Sequence, residues 1–122
     1  MNTSFDKGIH LSLLNLLQKE PELTQREMNM KMGVSLGKIN YCISALTNKG
    51  MIKVERFKKT ENKSAYMYRL TPKGLEELAN LTISFLKIKI GEYDKIKKEI
   101  KLLSKQIDNI DPALKEALKN IS

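Results

Sequence analysis

Between Gly33 and Leu46 the chain reads GVSLGKINYCISAL, and its polar side chains are of types that suit the edges of nucleic-acid bases. Asn40 carries a carboxamide that can pair bidentately with adenine, and Lys38 a cation that suits guanine or a phosphate. At about 100° per residue, Gly37, Lys38, Tyr41, Ser44 and Asn48 fall on one side, with Asn40 on the flank. That side is small, polar or aromatic and carries no acid, whereas a solvated helix surface normally mixes both signs of charge. The opposite side, Leu36, Ile39, Cys42, Ile43 and Leu46, is apolar and is expected to face a core.

Other chemistry is sparse. One His, one Cys and scattered acids supply no triad and no carboxylate pair, and there is no Gly-rich phosphate loop and no metal-ligand spacing. The expectation is a protein that is not an enzyme and holds no cofactor or metal. A single cysteine excludes an internal disulfide and points to a reducing compartment. Cys42 lies where oxidation would disturb the base-facing segment, but its helical angle marks it as a small core residue. His10 is expected at the surface or partly packed.

The elements that position the polar side follow from local signals. Thr24 is an N-cap with Glu27 three residues on, a capping box, and the helix it opens runs through Met28 and Met32 to Gly33. Val34 and Ser35 form a turn, Ser35 caps the next helix, and Gly50 ends it. A short helix, a tight turn and a longer helix make a helix-turn-helix, whose second helix is the one laid in the DNA major groove. Thr24, Gln25 and Ser35, at the two helix starts, join Gly37, Lys38, Asn40, Tyr41 and Ser44 as expected DNA contacts. Upstream, Ile9, Leu13, Leu16 and Leu17 share one face of a helix from about Phe5 to Lys19, broken at Glu20-Pro21, which closes a three-helix core.

After Gly50 the period changes to two. MIKVERF and AYMYRLT read as strands joined by the polar loop KKTENKS, and a hairpin placed there is a wing. Lys58, Lys59 and Lys63 at its tip, with Arg56 on the way in, are expected to meet phosphates or the minor groove. Thr71-Pro72 then opens a last long helix, with a cap followed by Pro at the first helical position. In it Tyr93, Ile100 and Ile107 repeat by heptads, with Ile96, Leu103 and Ile110 three further on, and Leu86 extends the pattern back. Three heptads with Ile and Leu at the seam predict a coiled coil and a homodimer. Gly91 is a candidate bend, and Asp111-Pro112 is expected to end the helix before a short final turn over 113–120.

The fold class is therefore mainly α with a two-stranded wing: a winged helix-turn-helix followed by a long C-terminal coiled-coil helix. A winged-helix DNA-binding domain is expected over residues 5–71 and a helical dimerisation segment over 72–122. Charge is distributed to match. Of the 122 residues, 1–30 carry a net charge of −1, 31–73 carry +8 and 74–122 carry +1, so the excess sits on the helix-turn-helix and wing. A concentrated basic segment is the electrostatic footprint of a nucleic-acid binder. No basic region followed by an apolar core opens the chain, and no apolar run approaches the ~18 residues of a membrane span, so a cytoplasmic protein with no membrane partner is expected.

Residues from about Leu11 to Tyr93 resemble the MarR-type winged-helix transcriptional regulators, and within them the small subgroup associated with exopolysaccharide gene clusters. The likeness is carried by LTQREMNMKMGVSLGKINYCISALTNKGMIKVERF and by YRLTPKG before the long helix; GVSLGKINYCISAL is its most specific part. The resemblance implies a dimeric, sequence-specific regulator of transcription bound to double-stranded DNA. Two departures stand out. The family's wing usually shows Asp-x-Arg where this chain has Asn62-Lys63-Ser64, which makes Lys63 the substitute for an inserted Arg. Many relatives dimerise through an extra N-terminal helix, a task that falls here to the terminal helix. Some relatives hold a small molecule between dimer helices and DNA-binding lobes; no residue set in this chain assigns one. The alternative is a winged-helix and coiled-coil module that binds another protein without DNA. Such a module would let the outer face of residues 37–48 drift toward acids or apolar residues, and that face shows neither. An RNA-binding role lacks the stacking aromatics on a sheet that it would use.

Overall fold

A computed structural model of the chain describes residues 3–60, 63–110 and 112–121. The elements are α1 (Thr3–Lys19), α2 (Gln25–Met32), α3 (Leu36–Asn48), β1 (Ile52–Thr60), β2 (Lys63–Leu70), α4 (Pro72–Ile110) and α5 (Pro112–Lys119). A winged helix-turn-helix followed by a long helix is what the sequence dictates, and it is what forms.

Local chemistry sets each boundary. Thr24 Oγ1 accepts from the Glu27 N–H at 3.1 Å and Glu27 Oε1 accepts from the Thr24 N–H at 3.1 Å, the reciprocal capping box at the start of α2. Gly33 ends α2 at φ 66°, where a Cβ would be strained, and its N–H donates to the Asn29 carbonyl. The Asn29 carboxamide donates to the Val34 carbonyl and ties the turn back onto α2. Ser35 then caps α3 by accepting from the Lys38 N–H at 3.2 Å. At the far end, Gly50 (φ 75°) donates to Thr47 and Met51 donates to Leu46, the paired bonds of a Schellman stop.

One core serves the helices and the hairpin. Ile9, Leu13, Leu14 and Leu17 of α1, Met28 of α2, and Ile39, Cys42, Ile43 and Leu46 of α3 are buried together with Met51, Ile52 and Tyr68. Leu36 departs from the expected inward face: it is 46% exposed. Ile39, Cys42, Ile43 and Leu46 centre the buried arc, and Leu36 lies about 70° off that centre at the first residue of α3, so the core ends before reaching it. The wing is longer than the sequence patterning suggests. The ladder runs antiparallel from Ile52↔Leu70 through Lys58↔Ser64, with an irregularity before Thr60↔Lys63. Most of the stretch expected as a polar loop, KKTENKS, is thus strand. Backbone pairing needs no apolar side chains on an exposed hairpin, so the loss of the period-two signal does not end the strands.

The joint between wing and α4 is a tight one. Thr71 Oγ1 caps α4 by accepting from the Gly74 N–H at 3.1 Å and donates to the Gly50 carbonyl. The Thr71 N–H donates to the Met51 carbonyl at 3.1 Å. A Cβ on Gly74 would run into that same Met51 carbonyl oxygen, so glycine is required there. The chain divides into two compact units, residues 1–83 and 84–122. The first takes in the start of α4, beyond the 71/72 boundary expected from sequence, because Gly74, Leu78 and Leu81 are buried in it. In the second, α4 continues helical through Gly91 to Ile110. The final segment, expected as a short turn, is the helix α5. Among the described residues no helix is long and apolar enough to cross a membrane.

Candidate nucleic-acid interface

The polar side of α3 is open. Gly37, Asn40, Ser44 and Asn48 are exposed, and Tyr41 is 51% exposed. Nothing lies within 4 Å of the position that a Cβ would take on Gly37, so the fold itself does not demand a glycine there. Lys38 is half-buried, and its ammonium sits 5.0 Å from the centroid of the Tyr41 ring. That cation–π contact holds a charge and an aromatic edge together on the face that the sequence singled out. Cys42, one turn inward, is fully buried in the core.

The hairpin adds a second wall. Strand alternation and the ladder register place Val54, Arg56, Tyr66 and Tyr68 on one face, with Val54 opposite Tyr68 and Arg56 opposite Tyr66. Tyr68 is buried, while Tyr66 and Arg56 are exposed. Between this face and α3 runs a groove lined by Gln25, Asn40, Ser44, Thr47 and Asn48 on the helical side and Val54, Tyr66 and Tyr68 on the hairpin side. None of the groove residues is an acid. On the opposite face Glu55 accepts from Arg69 at 3.3 Å and pairs with Lys53 at 3.8 Å, an exposed cluster of little energetic weight.

The residues expected to contact DNA separate into groups. Thr24 and Ser35 are exposed, and each spends a hydroxyl lone pair as a helix cap. Gln25 is half-buried beside the groove and bonded to Asn40 and Tyr68. Gly37, Lys38, Asn40, Tyr41 and Ser44 stand together on α3, and Arg56 stands across from them on the wing. Lys58, Lys59 and Lys63 belong to the strands by backbone, and their side chains lie outside the described residues, as do Glu61 and Asn62. Val54, Tyr66 and Tyr68 were not legible as site residues from sequence. Their signal, an alternation that puts 66 and 68 on one face, becomes readable only once the hairpin register is known.

In the second unit Leu86, Tyr93, Ile96, Ile100, Leu103 and Ile110 are all exposed, with Tyr93 at 62%, Leu103 at 60% and Ile110 at 80%, and Ile107 is half-buried. Ile90 extends the stripe, while Ile88 and Leu102 lie outside it.

Comparison with known proteins agrees with this geometry. Residues 7–53, from α1 into β1, match the family described as winged helix-turn-helix DNA-binding. No curated protein matches the chain. Among solved structures, a PadR-like transcription factor from Bacteroides fragilis aligns with a TM-score of 0.61 at 23% identity, over 75% of this chain and 94% of that one. The FabT–DNA complex of Streptococcus pneumoniae aligns with a TM-score of 0.53 at 21% identity, over 88% of this chain and 75% of that one. The MepR–DNA complex of Staphylococcus aureus aligns with a TM-score of 0.57 at 16% identity, over 95% and 76%. MarR regulators from S. aureus and Methanosarcina mazei are also similar in structure. At these identities the likeness is one of fold. The chain folds as a winged helix-turn-helix, and its structural neighbours include transcription regulators of the MarR and PadR-like kinds.

Proposed function

We propose that this protein is a dimeric, sequence-specific DNA-binding transcriptional regulator that reads the major groove with α3 and contacts the DNA backbone with the wing. One observation carries the reading: α3 presents an open, acid-free face of Gly37, Lys38, Asn40, Tyr41 and Ser44 beside an Arg-bearing hairpin face. A helix of this shape fits the major groove, its polar tips reach base edges, and cations alongside meet phosphates. Two of the solved neighbours, MepR and FabT, are bound to DNA, which supports DNA as the partner of this fold. The +8 net charge of residues 31–73 supplies the sequence-independent attraction.

The dimer reading rests on the exposed stripe from Leu86 to Ile110. Isoleucines and leucines in that register cost free energy in water and gain it against a second copy of the same helix, at about 25 cal/mol per Å2 of apolar surface buried. Two-fold symmetry then sets two reading helices about one DNA turn apart, roughly 34–36 Å, on a near-palindromic site. We place the domain boundary between winged helix and dimerisation segment within α4, and the working compartment in the cytoplasm. The likeness of residues 33–46 to exopolysaccharide-associated regulators directs the search for target genes to cell-surface polysaccharide clusters.

Selection of genomic DNA fragments by the purified full-length protein, read by sequencing, tests the proposal. Enrichment of one near-palindromic motif is expected. Recovery of fragments in proportion to their input would refute it.

A further inference from the structure

Two side-chain hydrogen bonds join three elements beside the reading face. Asn40 Nδ2 on α3 donates to Gln25 Oε1 at the start of α2, at 3.2 Å. Gln25 Nε2 in turn donates to the hydroxyl oxygen of Tyr68 on β2, at 3.3 Å. The anchor of this relay is fixed on every side. The Tyr68 ring is buried, its residue pairs with Val54 in the ladder, and its N–H donates to the Pro21 carbonyl at 2.9 Å. Gln25 is half-buried and Asn40 exposed, so the relay runs from the core outward and ends at the groove rim.

A carboxamide on an open surface presents donor and acceptor in any order, and ordering it on a base costs side-chain entropy. The relay removes much of that freedom. A carboxamide has two N–H donors and a carbonyl oxygen with two lone pairs. With one N–H of Asn40 engaged by Gln25, one N–H and the Oδ1 acceptor remain side by side. Adenine shows the complementary pair in the major groove, the N7 acceptor beside the N6 amino donor. Guanine shows two acceptors there and would face Oδ1 with another oxygen.

We propose that Gln25 and Tyr68 are positioning residues that hold Asn40 as a reader of adenine, while touching no base themselves. The proposal rests on the reading of α3 as the base-contacting helix and deepens it to one base and one residue.

The test is selection from random duplexes by the full-length wild type, Tyr68→Phe, Gln25→Ala and Asn40→Ala, with melting measured for each. Tyr68→Phe keeps the buried ring and removes only the hydroxyl. Wild type is expected to demand adenine at one position of each half-site. Tyr68→Phe should relax that position about tenfold and leave the preference at the other positions as it was, and Gln25→Ala should relax the same position to the same extent. In an Asn40→Ala background neither change should relax it further, because the three act as one unit. Should Tyr68→Phe lower the melting temperature, Gln25→Ala, further out along the relay, decides. Variants that select the same base as strongly as wild type, or that lose preference evenly across the site, overturn the relay alone. A wild type that selects no sequence overturns the reading of α3 and the relay with it.

Discussion

Asn40 and Tyr41 occupy the N-terminal half of α3, where recognition helices meet base edges. Their side chains are exposed, and neither is part of the buried core, so truncation should leave the fold intact. Asn40→Ala and Tyr41→Ala are each expected to weaken binding to the selected site by roughly 1–3 kcal/mol and to relax sequence preference, with little change on random DNA. Parallel titrations on selected and random duplexes check this, and unchanged affinity in both variants would remove α3 from the role. The face that carries these residues was legible in the sequence because helical angle alone separates Gly37, Lys38, Tyr41 and Ser44 from Ile39, Cys42, Ile43 and Leu46. Leu36 was misplaced by the same rule. Periodicity gives a direction but not where the core stops, and the first turn of α3 overhangs it.

At the scale of elements, the wing and its joint to α4 make separate demands. Lys58, Lys59 and Lys63 are proposed to meet phosphates, which adds affinity without sequence information. Replacing all three with Ala should reduce the log–log salt slope by on the order of one unit for each phosphate no longer neutralised, while the order of preferred sequences survives. An identical slope would leave the wing tip as a device for solubility. The joint depends on Gly74, which packs against the Met51 carbonyl with no room for a Cβ. Gly74→Ala should destabilise the winged helix by about 1–3 kcal/mol, because either the cap at Thr71 or the end of α3 must move. Chemical denaturation measures it, and a stability within a few tenths of wild type would show that the joint is looser than its geometry. The sequence revealed that Thr71-Pro72 starts a helix, since a cap and a Pro at the first position are local signals. It did not reveal why a glycine follows, because that depends on a carbonyl more than twenty residues back in the chain. The hairpin shows the same division. Its strands were visible where apolar residues alternate, and they were lost over residues 58–60 and 63–64, where only backbone pairing continues them.

At the scale of the molecule, the second unit carries a stripe of Ile and Leu that is exposed at Leu86, Ile96, Ile100, Leu103 and Ile110 and half-buried at Ile107. If Ile100, Leu103 and Ile107 meet a second copy, an Asp at Leu103 puts an unpaired charge into an apolar seam, which is strongly unfavourable. Leu103→Asp is expected to be monomeric by analytical ultracentrifugation with its winged helix still folded, and to lose much of its affinity for a two-half-site operator, since the second half-site is no longer held at high local concentration. A wild type that is monomeric at micromolar concentration would remove the dimer and the palindrome together. The heptad spacing was readable in sequence because it is long and regular.

Whether α3 distinguishes one DNA sequence from others is decided by a single titration. Wild-type protein is titrated by fluorescence anisotropy onto the selected duplex and onto a scrambled duplex of the same length and composition, at one fixed near-physiological salt concentration. A protein that reads bases through Asn40 and its neighbours should bind the selected duplex at least about 10³-fold more tightly, the lower bound for specific protein–DNA recognition. Equal affinity for the two duplexes, sensitive only to salt, would refute base reading by α3 and leave the protein a binder of DNA charge rather than of DNA sequence.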